Sequence, residues 1–349
     1  MTAAVSRVES QAAWEAFVAR HADGGFLQSW RWGELKSRYG WRAIRLGLPR
    51  GDGGLAGGAQ VLIRTRRAWP GGPRVGLAYV PRGPLAETPD DAAAAARAAI
   101  EVGRDHGASF VRIEPPSNLA ADALASCGLR SSNQFVQIPR TAVVDLERPE
   151  SDILGGFKSK MRYNIRLAGR RGVEVAPAEG NADFEAFVGL VQITASRERF
   201  AIHHASYYRD VWQTFQPDQG ALFIARYQGT PLAALMVVGA GRTAAYVFGG
   251  SSNQHRNLMA PHAVQWAAMQ WAKGRGFTRY DLWGMADPDD ANDAMAGVHR
   301  FKLGFNPDLV TYPSAFDLSL QPARAWLLTR AVRLREAIHS ARAGRAGPV

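Results

Sequence analysis

At 349 residues, with 46% hydrophobic and 21% charged side chains, the chain is long enough for two globular domains and too apolar for general disorder. One cysteine, Cys127, excludes an intrachain disulfide and any zinc site built on several thiolates. The formal net charge of +11 favours anionic partners such as nucleic acid, phosphorylated small molecules or an acidic membrane surface, and says nothing about fold.

The N-terminal stretch MTAAVSRVESQAAWEAFVAR lacks the apolar core of a signal peptide. No apolar run along the chain approaches the roughly 20 residues that span a bilayer. A cytoplasmic location is therefore expected. FLQSWRWGELKSRYGW (26–41) gathers Trp30, Trp32 and Trp41 around Lys36 and Arg38. Such aromatics usually form core or interface, though a lysine there can reach an anionic ligand across an aromatic wall.

Strand patterns follow in RAIRLGL, GAQVLIRTRR, RVGLAYVP and SFVRIEP, with a helical pattern over 90–105. After TAVVDL, the polar, proline-containing LERPESD (145–152) reads as a boundary. Next comes FKSKMRYNIRLAGRRG, where six basic side chains between Lys158 and Arg171 face no carboxylate. Arg162, Arg166 and Arg170 fall four apart and share one stripe of a helix. Met161, Ile165 and Ala168 line a stripe able to face a core, and Gly172 suits the stop position. A solvated basic face and a phosphate-binding row are both open readings, arginine forks being matched to phosphate oxygens.

A helical pattern over 183–196 leads to RERFAIHHASYY, a polar aromatic loop that either lines a groove or caps a helix. Strands ALFIARYQ, PLAALMVVGA and TAAYVFGG precede GGSSNQHRNLMAP (249–261). Main-chain amides in this loop can face a phosphate or carbonyl. It lacks the Gly-Lys-Ser/Thr of a Walker loop, the third glycine of a dinucleotide fingerprint, and the closely spaced glycines expected for acyl-CoA. A helical pattern over 260–274 and the strand RYDLWG follow. GVHRFKLGF then sets Lys302 in an aromatic, glycine-flanked segment, expected as a half-buried strand or turn. Its cation is either structural or placed to meet charge developing in acyl transfer. ARAWLLTRAVRLREAIHSARAGR closes the chain as a basic amphipathic helix on Leu327, Ala331, Leu334 and Ile338. A surface helix packed on the first domain is the preferred reading there, with contact to an anionic membrane as the alternative.

AYVPRGP, a helix, a glycine and SFVRIEP recur about 168 residues later as AYVFGGSS, a helix, a glycine and TRYDLWG, which favours two copies of one α/β unit. No G-x-S-x-G elbow and no H-E-x-x-H occurs.

Four stretches in order, LQSWRWGELKSRYGW, KSKMRYNIRLAGRRGV, AAYVFGGSSNQHRNLMAPHAVQWAAMQWAKGRGFTRYDLWG and VHRFKLGFNPDLVTYPSAFDL, resemble the motifs of the FemABX family. Its members are aminoacyl-tRNA-dependent transferases that build peptidoglycan interpeptide bridges. The resemblance runs from about residue 24 to about 320. It implies an α+β fold of two tandem GNAT-like domains, the second inserted in the first: 1–145 plus 314–349, and 146–313. It implies aminolysis of the ester of aminoacyl-tRNA by a stem-peptide amine of a peptidoglycan precursor, UDP-MurNAc-pentapeptide or lipid II. No metal, cofactor or DNA is implied, and peripheral contact with the inner membrane surface is compatible with it. Lys36 matches a lysine that contacts precursor phosphates, and Tyr246 a tyrosine lining the precursor groove. Lys302 matches the lysine assigned to the tetrahedral intermediate or the tRNA end. His203 and Tyr207 stand where the family has an arginine and a tyrosine four residues apart, so a histidine replaces the arginine and Arg199 is the substitute at hand. Arg162 and Arg166 fit the basic motif, facing precursor or tRNA. Two rivals remain: a GNAT-type N-acyltransferase using acyl-CoA or acting on another amine, and a non-catalytic RNA-binding protein.

Overall fold

The computed structural model describes residues 4–21, 23–198, 200–285 and 296–326. Most of the C-terminal helix expected from the sequence, and Arg199, lie outside them; residues 322–326 are helical. The chain forms two units. Met1–Trp14, Lys36–Phe135 and Pro313–Val349 make the first, and Glu15–Leu35 with Val136–Tyr312 the second. The divisions expected at 145/146 and 313/314 differ from these. Arg140–Asp145 pairs with Arg279–Asp281 and Asp308–Thr311, so it is a strand of the second sheet. Glu15–Leu35 joins the second unit partly through Arg31. Its guanidinium takes the carbonyls of Phe215 and Gln216 at 2.9 and 3.1 Å and pairs with Asp218 at 3.0 Å.

Each unit carries one sheet. In the first, strands run in the order Ser6–Arg7, Arg42–Pro49, Leu55–Arg67, Arg74–Pro81, Phe110–Glu114, Ala315–Ser319, Arg130–Ser132, with Leu85–Ala86 on Leu55–Arg67. In the second the order is Val173–Pro177, Gly220–Tyr227, Thr230–Ala240, Thr243–Ser251, Arg279–Asp281, Arg140–Asp145, Asp308–Thr311. Among the described residues each sheet has a single parallel pair, Arg74–Pro81 with Phe110–Glu114 and Thr243–Ser251 with Arg279–Asp281. A crossover helix joins each parallel pair, as a parallel pairing requires. These are the two halves of the Ala-Tyr-Val repeat. The strand beside the parallel pair is exchanged in sequence. Arg140–Asp145 directly follows the first unit's strands yet sits in the second sheet, whereas Ala315–Ser319 follows the second unit yet sits in the first.

Local chemistry explains the crossover helices. In the first unit Thr88 caps helix Pro89–Asp105 by accepting the Asp91 N–H at 3.2 Å, with proline at its start and two aspartates in its first turn. Its buried face is mostly alanine, and a side chain at Gly103 would come within 3.2 Å of Ala78 and Val111, so the helix lies close on the sheet. In the second unit Ala260–Gly274 plays the same part, burying Val264, Ala268, Met269 and Ala272.

The basic motif is the helix Ser159–Arg170, with Met161, Asn164, Ile165 and Ala168 buried and Gly172 at φ +81 past its end. It packs on the helix Ala260–Gly274. Phe157 just before it meets Phe305 at 5.2 Å and Trp266 at 5.5 Å, both edge-on. Such pairs each add about 1 kcal/mol beyond their burial.

Candidate active site

In the second unit the two parallel strands pair only over Thr243–Ala245 and Arg279–Asp281. Beyond Ala245 the longer strand continues alone on that side to Ser251. A register shift sets Met236 against Phe248 and Val237 against Tyr246, leaving Val247 as the extra residue of a bulge. Where the strands part, a cavity of about 620 Å³ opens. Tyr246, Gly249–Ser252, the loop Gln254–Asn257, the start of helix Ala260–Gly274, and Val298 and Phe301 line it. Glycine is required at two of these positions. A side chain at Gly249 would stand 2.5 Å from the Tyr246 hydroxyl, and one at Gly250 2.3 Å from the Leu190 carbonyl. Burial pushes the Tyr246 phenol up to about 12, so it is a neutral hydroxyl at any physiological pH.

His262 also faces the cavity. Burial lowers its imidazole to about 4, so the ring is neutral. Asn164 of the basic helix lies with Nδ2 3.1 Å from His262 Nε2.

Lys302 lies not in a strand or turn but at the end of the helix Ala296–Lys302, followed by a 3-10 turn, Leu303–Phe305. Glycine and aromatics suggested extended backbone. Packing decided otherwise, because Phe301 and Phe305 stand one helical turn apart and meet edge-on at 5.3 Å. The segment is pinned to the basic helix, whose N-cap Lys158 N–H donates to Gly304 at 3.0 Å. Lys302 is only 4% exposed. Its ammonium donates to the Trp283 and Gly284 carbonyls at 3.0 and 2.6 Å, and among the described residues these are its two partners. A lysine has three N–H donors, and these carbonyls engage two of them. Burial lowers its pKa to about 8, opposed by the charge of Asp281.

Sequence reading did not single out Asp281. Its carboxylate is buried, accepts the Trp283 N–H at 2.7 Å and accepts the Thr141 hydroxyl. Trp283 sits at φ +62, a conformation costly for a bulky residue. The aspartate therefore holds the turn that aims both carbonyls at Lys302. RYDLWG carried the residue, but its partner Thr141 lies 140 positions away and no local pattern links them.

Of the expected site residues Tyr246 lines the cavity; Lys302 is not among the lining residues, although its neighbour Phe301 is, and the others among the described residues lie elsewhere. The rings of His203 and Tyr207 lie 4.5 Å apart, tilted by 39°, and His203 meets Phe248 at 5.8 Å; neither lines the cavity. His204, not His203, caps the helix Ala205–Phe215, its ring accepting the Ser206 N–H at 3.3 Å. Arg162 is half-buried. It donates from one guanidinium nitrogen to the Gly155 carbonyl at 3.0 Å and to that of Phe157, closing the end of the preceding helix. Arg166 and Arg170 remain exposed. Lys36 belongs to the first unit, where its ammonium lies 5.9 Å from the Trp41 ring and burial lowers its pKa. The aromatic segment has a structural side: Phe26 packs on Trp32 and Phe215. Among the described residues no group of three or more His, Cys, Asp or Glu could hold a metal ion.

Two sheets of one topology, each with a single parallel pair joined by a crossover helix, and in the second unit parting over a cavity, define a tandem GNAT-like acyltransferase fold. Among solved structures the chain superposes on the crystal structure of FemX with a TM-score of 0.82 and 21% identity, over 92% of this chain and 99% of that one. The chain is also similar to a tandem GNAT protein from the clavulanic acid biosynthesis pathway, with a TM-score of 0.53 and 13% identity over 90% of this chain and 97% of that one. The model of the FemAB family matches residues 10–134, 128–228 and 223–333, and the chain belongs to that family. Curated relatives include the lipid II:glycine glycyltransferase of Staphylococcus saprophyticus subsp. saprophyticus, 24% identical over 88% of this chain and 91% of that one. The protein of the same name from Staphylococcus aureus is 24% identical over 88% and 90%.

Proposed function

We propose that this chain is an aminoacyltransferase that carries an amino acid from aminoacyl-tRNA to the stem-peptide amine of a peptidoglycan precursor, extending an interpeptide bridge. The observation that carries the reading is the alignment, across about nine-tenths of both chains, with relatives named lipid II:glycine glycyltransferase. Lipid II is the acceptor favoured over the soluble nucleotide precursor, because it is the one those names print.

The chemistry is aminolysis of an ester. The amine nitrogen forms a C–N bond to the carbonyl carbon, the C–O bond to the ribose breaks, and the proton shed by the amine replaces the lost acyl group on the ribose oxygen. No covalent enzyme intermediate is required. Alignment of the two substrates lowers the barrier by several kcal/mol. The remaining demand is the oxyanion of the tetrahedral intermediate. The third N–H of Lys302, desolvated and held by two carbonyls, is the donor we assign to it. With a pKa of about 8 the ammonium is the dominant form at pH 7. We assign the aminoacyl end to the cavity beside Tyr246, at the edge formed by Phe301, the residue next to Lys302, and the acceptor-arm phosphates to the exposed arginines of the basic helix, Arg166 and Arg170. Lys36 in the first unit is assigned to the precursor's phosphates.

The test is a reconstituted reaction. Purified protein, precursor and a pool of charged tRNAs are incubated, and the precursor is weighed by mass spectrometry. A Lys302→Ala protein should bind tRNA normally and turn over poorly; equal turnover by the variant would remove the assigned donor. Product formed from acyl-CoA in place of charged tRNA would move the chain to the acyl-CoA branch of the fold.

A further inference from the structure

The first unit bears a feature that neither substrate explains. Strands Leu55–Arg67 and Arg74–Pro81 pair up to Arg67 opposite Arg74, and between them stands the turn AWPGGP (68–73). The turn is built, not frayed. Ala68 N–H donates to the Pro73 carbonyl at 2.9 Å, Gly72 N–H to Trp69 at 2.9 Å, and Arg67 to the Gly72 carbonyl at 3.1 Å. Gly71 takes φ +78. A side chain at Gly72 would stand 2.6 Å from the Trp69 ring, so the indole lies flat over that glycine. Trp69 is nevertheless 53% exposed.

Charge is arranged around this tip, not on it. Residues 68–73 carry no charge, whereas Arg66 and Arg67 on one strand root and Arg74 on the other are exposed. No carboxylate occurs from Arg64 to Arg74. At the same end of the sheet a hollow of about 630 Å³ is lined by Arg42, Arg74 and Arg324 against one carboxylate, Asp105. Trp326, two residues beyond Arg324, is 58% exposed.

An apolar, aromatic tip inside a collar of arginines matches a bilayer interface in depth. Indole favours the boundary between headgroup and acyl chain, and guanidinium reaches the phosphates just outside it. A surface for RNA would be expected to carry its cations at the contact itself, whereas residues 68–73 at the tip carry none. We infer that the hairpin 66–74 docks this protein on an anionic phospholipid bilayer, with Trp69 at the interface and Arg66, Arg67 and Arg74 on headgroup phosphates. The inference rests on the reading that the acceptor is membrane-borne, since a protein acting on such a precursor gains by residing where it is concentrated.

The experiment is flotation of the full chain with vesicles of phosphatidylcholine and phosphatidylglycerol in equal parts, and with phosphatidylcholine alone. Two variants are compared, Trp69→Ser and Arg66→Glu/Arg67→Glu, each checked for an unchanged melt. All three positions are exposed, so folding should survive. The charge reversal should lower partition onto the anionic vesicles by at least about tenfold, and Trp69→Ser by about fivefold. Turnover on a soluble nucleotide-linked precursor should be unchanged in both, and turnover on precursor embedded in vesicles should fall. Partition indifferent to both variants overturns the inference. Loss of tRNA affinity with vesicle binding intact also overturns it and assigns the hairpin to RNA. Hairpin-dependent flotation by a protein inactive on every acceptor keeps the docking surface and sinks the catalytic reading alone.

Discussion

Replacing Asp281 by asparagine isolates the electrostatic part of the Lys302 arrangement. Asparagine keeps an oxygen able to accept from the Trp283 N–H and the Thr141 hydroxyl, and removes the charge. Lys302 falls from 10.5 to about 8, a shift worth about 3 kcal/mol against the buried ammonium, and Asp281 is the group that resists it. Loss of a nearby opposite charge lowers a buried cation by about 1 unit or more. The alkaline limb of kcat should then move from near pH 8 to near pH 7. At pH 8 the ammonium fraction drops from about one half to about one tenth, so turnover falls about fivefold; at pH 6 it barely changes. The sign follows from the ammonium being the low-pH form. Stability carries the same signature. The depressed pKa opposes folding below pH 8, and the opposition fades as pH rises from about 8 toward 10.5. The assay is kcat against pH for both proteins with saturating substrates. A limb that stays at pH 8 in Asp281→Asn, or a loss equal at all pH values, refutes the reasoning.

Arg31→Ala strips a guanidinium from the carbonyls that end the helix Ala205–Phe215 and should lower stability by about 2 kcal/mol in a denaturant titration. The basic helix should divide by residue. Arg166→Ala reduces the salt slope of tRNA binding by about 1, whereas Arg162→Ala leaves the slope alone and costs about 1–3 kcal/mol of stability. Gly250→Ala drives a methyl into the Leu190 backbone and should destabilise by about 2 kcal/mol or more in the same titration. Gly189→Ala, with nothing within 4 Å, should be neutral or stabilising by about 0.5–1 kcal/mol.

What was legible in the sequence is what local rules control. The Ala-Tyr-Val repeat marked two strand–helix–strand units because each half is contiguous, and the Met161/Ile165/Ala168 stripe gave the orientation of the basic helix by periodicity alone. Lys302 was found through a motif, and its depth of burial was not, since burial depends on Phe157 and Phe305 meeting across a long gap in sequence. The strand TAVVDL was recognised as a strand, but its sheet was not, because its partners Arg279–Asp281 and Asp308–Thr311 are set by tertiary pairing. Arg162 has a structural partner for a related reason not visible in the sequence. An arginine spaced for a ligand looks the same as one spaced to cap the helix before it.

The central claim is that this chain joins an amino acid carried on tRNA to a peptidoglycan precursor. It is tested most directly by the mass of lipid-linked precursor, presented in vesicles, after incubation with the wild-type protein and each charged tRNA in turn. The account predicts a gain of one or more amino-acid residues with at least one of them, lost when the tRNA is deacylated beforehand. A precursor whose mass is unchanged across the full set, from protein shown to be folded, contradicts it.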